Sequence, residues 1–155
     1  ITLTVMMILM FIGASPGSTG GGIKTTTLAM VLLSIRSVLS GKDEIEIFKR
    51  SVPSATVNKA IAIFIAALIL VLLFFILLMA VEDKPFLDLL FETISAFGTV
   101  GLSTGITPDL TVPGKLLITL LMYLGRIGPL TMVLALTSKI RPQRLRYPTA
   151  RIMIG

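Results

Sequence analysis

Phe86-Leu-Asp-Leu-Leu-Phe-Glu-Thr-Ile-Ser-Ala-Phe97 runs without a break into Gly98-Thr-Val-Gly-Leu-Ser-Thr-Gly105. The first stretch is apolar, but a spanning helix needs about 20 such residues, and a run of about 10–14 is typically a core or re-entrant helix. The second stretch holds three glycines in eight residues and cannot continue a helix. Extended backbone of that kind is tolerated at membrane depth only where it lines a cavity or is buried in protein. The junction therefore predicts a half-membrane helix followed by a cavity-lining strand.

The flanks fit that reading. Upstream, Ala60 to Val81 is 22 residues without a charge, and Glu82-Asp83-Lys84-Pro85 ends it. This is the strongest transmembrane signal in the chain. Downstream, Pro113 opens a second span, Leu116 to Ser138, which contains Arg126 and stops at Lys139-Ile-Arg-Pro-Gln-Arg-Leu-Arg146. Nearer the start, Ile1 to Ile12 is apolar apart from two threonines and reads as the end of another membrane helix. With no charged segment before it and no initiating Met, we expect the C-terminal part of a longer protein. Gly13-Ala-Ser-Pro-Gly-Ser-Thr-Gly-Gly-Gly22 then interrupts the helix, six of its ten residues being Gly or Pro. Leu28 to Leu39 resumes a helical pattern, and 41–59 is polar, of mixed charge, and reads as a loop or surface helix.

Composition agrees. Hydrophobic residues make up 54% and charged residues 14%, with a mean hydropathy of +0.97. An ordinary soluble domain carries about 25% charged residues, and one of this size could not hide so much apolar surface. A water-soluble enzyme and a disordered chain are both excluded. Cys and His are absent, which removes disulfides, zinc fingers, a thiol nucleophile and a histidine base. The net charge of +6 needs no nucleic acid. Lys42, Lys49, Arg50 and Lys59 lie in one connection and Lys139, Arg141, Arg144, Arg146 and Arg151 in the tail, whereas 82–115 holds only Lys84 and Lys115. The positive-inside rule puts 41–59 and the C-terminus in the cytoplasm, against anionic lipid, and the short helix dips in from outside. The fold class is an all-α integral membrane protein of the cell membrane, multi-pass, with the lipid bilayer as its solvent.

Three features carry chemistry. Thr99, Val100, Gly101 and Leu102 follow a half-helix and precede an inner helix. Potassium filters use such a loop, whose backbone carbonyls replace the ion's hydration shell, and Gly101 is expected where a Cβ would obstruct stacked carbonyls. Metal binding would then be K+ on the carbonyls of Thr99, Val100 and Gly101. Homotetrameric channels continue Thr-Val-Gly with Tyr-Gly; here Leu102-Ser103 follows, which argues for non-identical repeats. Ser18, Thr19, Gly20, Gly21, Gly22 and Lys24 resemble a phosphate-binding loop, but Ile23 separates Gly22 from Lys24 and no strand precedes it. They read better as an unwound, hinging gate segment facing a water-filled path. Arg126, placed near the middle of the last span, costs about 2.5–3.5 kcal/mol there and marks an ion path by default; carbonyls of the Gly-rich loop are its natural partners. Asp88 and Glu92 are i, i+4 on the short helix, where they attract cations or bond to the filter's surroundings. Met6, Met7, Met10, Phe64, Phe74 and Phe75 are packing or lipid-facing residues.

Leu9-Met-Phe-Ile-Gly13 and Leu121-Met-Tyr-Leu-Gly125 form a faint repeat at an offset of 112. Together with Thr19–Thr25, Ser95–Gly105 and Gly125–Thr131, the chain resembles the Trk/Ktr/HKT superfamily of potassium transporters, most of all the Ktr-type membrane subunit. The resemblance implies four helix–pore-helix–helix (M1-P-M2) repeats around one pore. Residues 1–40 would hold the end of the third repeat's inner helix and its intramembrane loop, 41–59 a cytoplasmic connection, 60–140 the fourth repeat and 141–155 a cytoplasmic tail. It further implies K+ uptake, Na+ as an activating ion in many members, a homodimer, and a cytosolic nucleotide-binding regulatory subunit. No cofactor and no catalytic residue is expected. The runner-up is a homotetrameric two-helix cation channel; a membrane enzyme or anchor is disfavoured by the missing His, Cys and paired intramembrane acids.

Overall fold

The computed structural model describes residues 1–41, 45–47 and 50–128. Five α-helices dominate: α1 (Thr2–Phe11), α2 (Thr25–Leu39), α3 (Ser54–Val81), α4 (Phe86–Gly98) and α5 (Val112–Ile127). The 41–59 connection, expected as a loop or surface helix, contains a short strand pair. Ile45–Ile47 (β1) and Arg50–Val52 (β2) pair antiparallel, with Ile45 opposite Val52 and Ile47 opposite Arg50. Ile-Glu-Ile alternates with the two-residue period of a strand, a pattern too short to stand out among the charges around it.

α3 starts at Ser54, directly after Pro53, rather than at Ala60. Loss of charge marks where a helix enters apolar surroundings; the helix itself begins where proline's fixed φ ends the preceding turn. Its 28 residues extend about 42 Å, enough to cross a bilayer core of about 30 Å. Val57, Ala60, Ile63, Ala67, Leu70, Val71, Phe74, Phe75 and Leu78 are buried along one face. The opposite face exposes Ile65, Leu68, Ile69, Leu72, Leu73, Ile76 and Leu77. A helix apolar all round and exposed on one side is matched to hydrocarbon.

α4 is the hub. At 13 residues it is about 20 Å long, and α1, α3 and α5 all pack on it. Leu89, Phe91, Thr93, Ala96 and Phe97 are buried between them. Phe97 meets Phe11 at 5.7 Å between ring centroids, and Phe11 meets Phe64 edge-on at 6.2 Å. Met7 and Met10 of α1 bury themselves with Phe91. Two glycines permit close approach to the last turn of α4: a Cβ on Gly98 would lie 2.6 Å from the Met10 carbonyl oxygen, and one on Gly125 would lie 2.1 Å from that of Phe97. Both members of the faint repeat thus meet the last turn of α4.

The α3–α4 and α4–α5 connections are closed by Glu82. Part of the charged stretch that ends the span, it is nonetheless 6% exposed. Its Oε1 accepts from Thr111 N at 2.8 Å and Thr111 Oγ1 at 2.5 Å. Thr111 caps α5 by accepting from Gly114 N at 3.3 Å, so the carboxylate sits at a helix N-terminus, where the dipole favours it. A Cβ on Gly114 would lie 2.0 Å from Glu82 Oε1. We expect Gly114→Val to displace that carboxylate and destabilise the complete protein by about 1–3 kcal/mol; an unchanged unfolding midpoint in detergent would contradict the contact.

Candidate functional site

α4 ends in a Schellman-type cap: Thr99 N donates to Ala96 O and Val100 N to Ser95 O, both at 3.0 Å. Thr99 takes the left-handed conformation this cap needs, φ 52° and ψ 39°. It is the one non-glycine residue with positive φ among the described residues. The chain then leaves without helix or strand, and Val100, Gly101 and Leu102 are exposed. Gly101 has φ +81°, and a Cβ there would meet nothing within 4 Å. A glycine suits this position through its backbone conformation, which a residue with a Cβ rarely adopts.

The Gly-rich segment is a closed loop between α1 and α2. Ile12 and Ile23 form a parallel bridge, with Gly13 N donating to Ile23 O at 2.7 Å and Ile23 N to Phe11 O at 3.3 Å. The ends therefore meet, as in a compact Ω-type loop, and α2 follows directly from the bridge. A Cβ on Gly13 would lie 2.0 Å from Gly21 O; the loop can fold this tightly only without it.

Lys24 holds the loop from within. Its Nζ donates to Gly20 O at 2.8 Å and to Ser18 O at 3.0 Å, while Gly20 N donates to Ser18 Oγ at 3.2 Å. Two carbonyls of the loop expected to face Arg126, those of Ser18 and Gly20, thus accept from the loop's own lysine. Arg126 nevertheless lines the same cavity, about 320 Å³, with Ser18, Thr19, Gly20, Gly22 and Lys24. It lies in the last turn of α5, which ends where Gly128 turns to φ +86°. Expectations for 129–155, including the rest of the last span and the basic tail, fall outside the described residues.

The two sequence motifs are joined by one contact that sequence reasoning missed. Gly21 N donates to Thr99 Oγ1 at 3.0 Å, across 78 residues. A Cβ on Gly21 would lie 2.7 Å from that hydroxyl. A crevice of about 380 Å³ lined by Met10, Gly13, Gly20, Gly21, Thr99 and Val100 opens beside this contact. Glu92, on the buried face of α4, bonds to the Ser103 and Thr107 hydroxyls. Its companion Asp88 sits in the first turn of α4.

A long apolar helix, a shorter helix buried among its neighbours and a Gly-rich segment at its end fit a helical membrane protein. The family model described as "TrkH: Cation transport protein" matches residues 1–145, and the chain belongs to that family, as its motifs led us to expect. Members of this family are transporters rather than enzymes. The chain is 44% identical over 154 residues to the Ktr system potassium uptake protein B of Bacillus subtilis, covering 99% of this chain and 34% of that protein. It is 42% identical to the potassium/sodium uptake protein NtpJ of Enterococcus hirae, covering 99% and 35%, and 40% identical to the Ktr system potassium uptake protein B of Vibrio alginolyticus, covering 99% and 33%. The chain thus spans about a third of the length of these curated relatives.

Proposed function

We propose that this chain is part of a K+ uptake pore in the cell membrane. In this reading α3, α4 and α5 form the outer helix, pore helix and inner helix of one M1-P-M2 repeat, the fourth, and α1 closes the preceding one. Backbone carbonyls of Thr99, Val100, Gly101 and Leu102 replace part of the hydration shell of K+, and other repeats supply the remaining carbonyls. Ser18–Gly22 with Lys24 forms the gate, and Arg126 adds positive charge to the cavity beneath it, which disfavours a permeating cation until the loop moves. The protein is multi-pass and homodimeric, with 41–59 and the tail cytoplasmic, a cytosolic nucleotide-binding regulator, and Na+ as an activating ion. No cofactor is assigned; K+ is cargo. The "Ktr system" names of two relatives support a multi-component assembly.

The Gly21–Thr99 hydrogen bond carries the reading, because it ties the gate segment directly to the first residue of the filter strand. The test is expression of the complete protein, with its upstream repeats, in a bacterium unable to import K+. Growth at limiting K+ is the expected result. Arg126→Ala, or deletion within 18–22, should then raise K+ flux; unchanged flux would remove the gate role. Rescue by the 155-residue chain alone would favour an oligomeric channel instead.

A further inference from the structure

The extended segment is anchored at both ends, and the outer anchor is a carboxylate. At the inner end the α4 cap fixes Thr99 and Val100 through two 3.0 Å bonds to Ala96 and Ser95. At the outer end Glu92, 4% exposed, presents Oε1 to Ser103 Oγ, which donates to it, and to Thr107 Oγ1 at 2.9 Å. Thr107 Oγ1 is also 2.7 Å from Ser103 Oγ, and Gly105 N donates to Ser103 Oγ at 2.9 Å.

Proton counting fixes the direction of this network. Each hydroxyl has one proton, and an ionised carboxylate only accepts. Ser103 spends its proton on Glu92, so its oxygen is free to accept from the Gly105 amide. Thr107 donates either to Glu92 or to Ser103, and either choice tightens the same loop. Gly105, at φ +106°, is where the chain turns back towards α5. Among the described residues between the two anchors, only Gly101 and Leu102 lack a tether of their own, and their carbonyls are part of the proposed ion path.

We infer that Glu92 is a positioning residue for ion selectivity: as a hydrogen-bond acceptor from Ser103 and Thr107 it sets the spacing of the 100–102 carbonyls without touching the ion. This rests on reading 99–102 as the ion path. It differs from attraction of cations by negative charge, and Glu92→Gln separates the two, because it removes the charge and keeps an acceptor oxygen.

The test uses the complete protein and two readouts. The first is uptake kinetics for K+ with Na+ competition. Glu92→Ala should raise KM for K+ about five- to tenfold, the factor one lost hydrogen bond supplies, and lower K+/Na+ discrimination, with maximal rate changed by less than about twofold. Glu92→Gln keeps an acceptor oxygen and should restore wild-type KM and discrimination. Ser103→Ala with Thr107→Val alters only an exposed and a half-buried hydroxyl, so it keeps the test open if Glu92→Ala does not fold; it should reproduce the Ala phenotype. The second readout is hydrogen–deuterium exchange of the peptide covering 99–107. Exchange should speed up in Glu92→Ala and in the double variant but not in Glu92→Gln. Unchanged kinetics and exchange in the double variant would overturn the inference, as would a Gln variant as impaired as the Ala variant. If the complete wild-type protein moves no K+, the pore reading fails, while exchange still decides whether Glu92 pins the segment.

Discussion

Gly125→Ala is expected to abolish K+ uptake by the complete protein and to destabilise it at the upper end of the roughly 1–3 kcal/mol that overpacking costs. The added Cβ would lie 2.1 Å from the Phe97 carbonyl oxygen, 2.9 Å from its carbonyl carbon and 3.1 Å from its Cα. All three are backbone atoms, so no side chain can swing away to make room. Phe97 is itself fully buried and stacked near Phe11. α5 must therefore move off α4, and because Thr99 caps α4 two residues later, the strand it launches moves too. Thermal unfolding in detergent and uptake in K+-starved cells check this. A wild-type melting transition with wild-type uptake would mean that the two helices do not meet in this way.

Gly101→Ser should lower K+ affinity by about tenfold or more and reduce K+/Na+ discrimination. Here the cause is strain alone. The position is open, with nothing within 4 Å of the place a Cβ would occupy, yet φ of +81° costs a residue with a Cβ about 1–3 kcal/mol. A serine relieves that strain by rotating the peptide, and the rotation redirects the carbonyls on either side. The energy is enough to change occupancy of a carbonyl site by about tenfold or more, while the fold is left intact. Uptake kinetics with the two ions separates this outcome from misfolding; unchanged kinetics would remove 99–102 from the ion path. Gly125 and Gly101 thus differ in kind: one glycine is required by what lies against it, the other by its own torsion angle.

Much of this was legible without coordinates. Charge-free length reveals α3, because a span of apolar residues has few other uses. The short α4 followed by Gly98–Gly105 is legible for the same reason, read in reverse: too short to cross, too polar in backbone to face lipid. The family followed from three local motifs, each specific in order as well as composition. What stayed hidden was of two kinds. The start of α3 at Ser54 lies ahead of the hydropathy boundary at Ala60, since hydropathy reports surroundings while Pro53 sets where hydrogen-bonded turns begin.

The second kind is long-range pairing. Nothing in Ser18–Lys24 shows that Lys24 will close its own loop, or that Gly21 will reach Thr99, 78 residues away. Glu82 and Glu92 look alike in sequence, each an acid beside an apolar run. Only the packing of α4 against α3 and α5 buries both and gives one the N-terminus of α5 and the other the hydroxyls of Ser103 and Thr107. By itself, then, the sequence determined the membrane class, the half-helix and the family, because hydropathy and glycine content act residue by residue. The tertiary structure decided which carbonyls, hydroxyls and carboxylates meet, because a hydrogen bond depends on two positions that the chain's local chemistry does not relate.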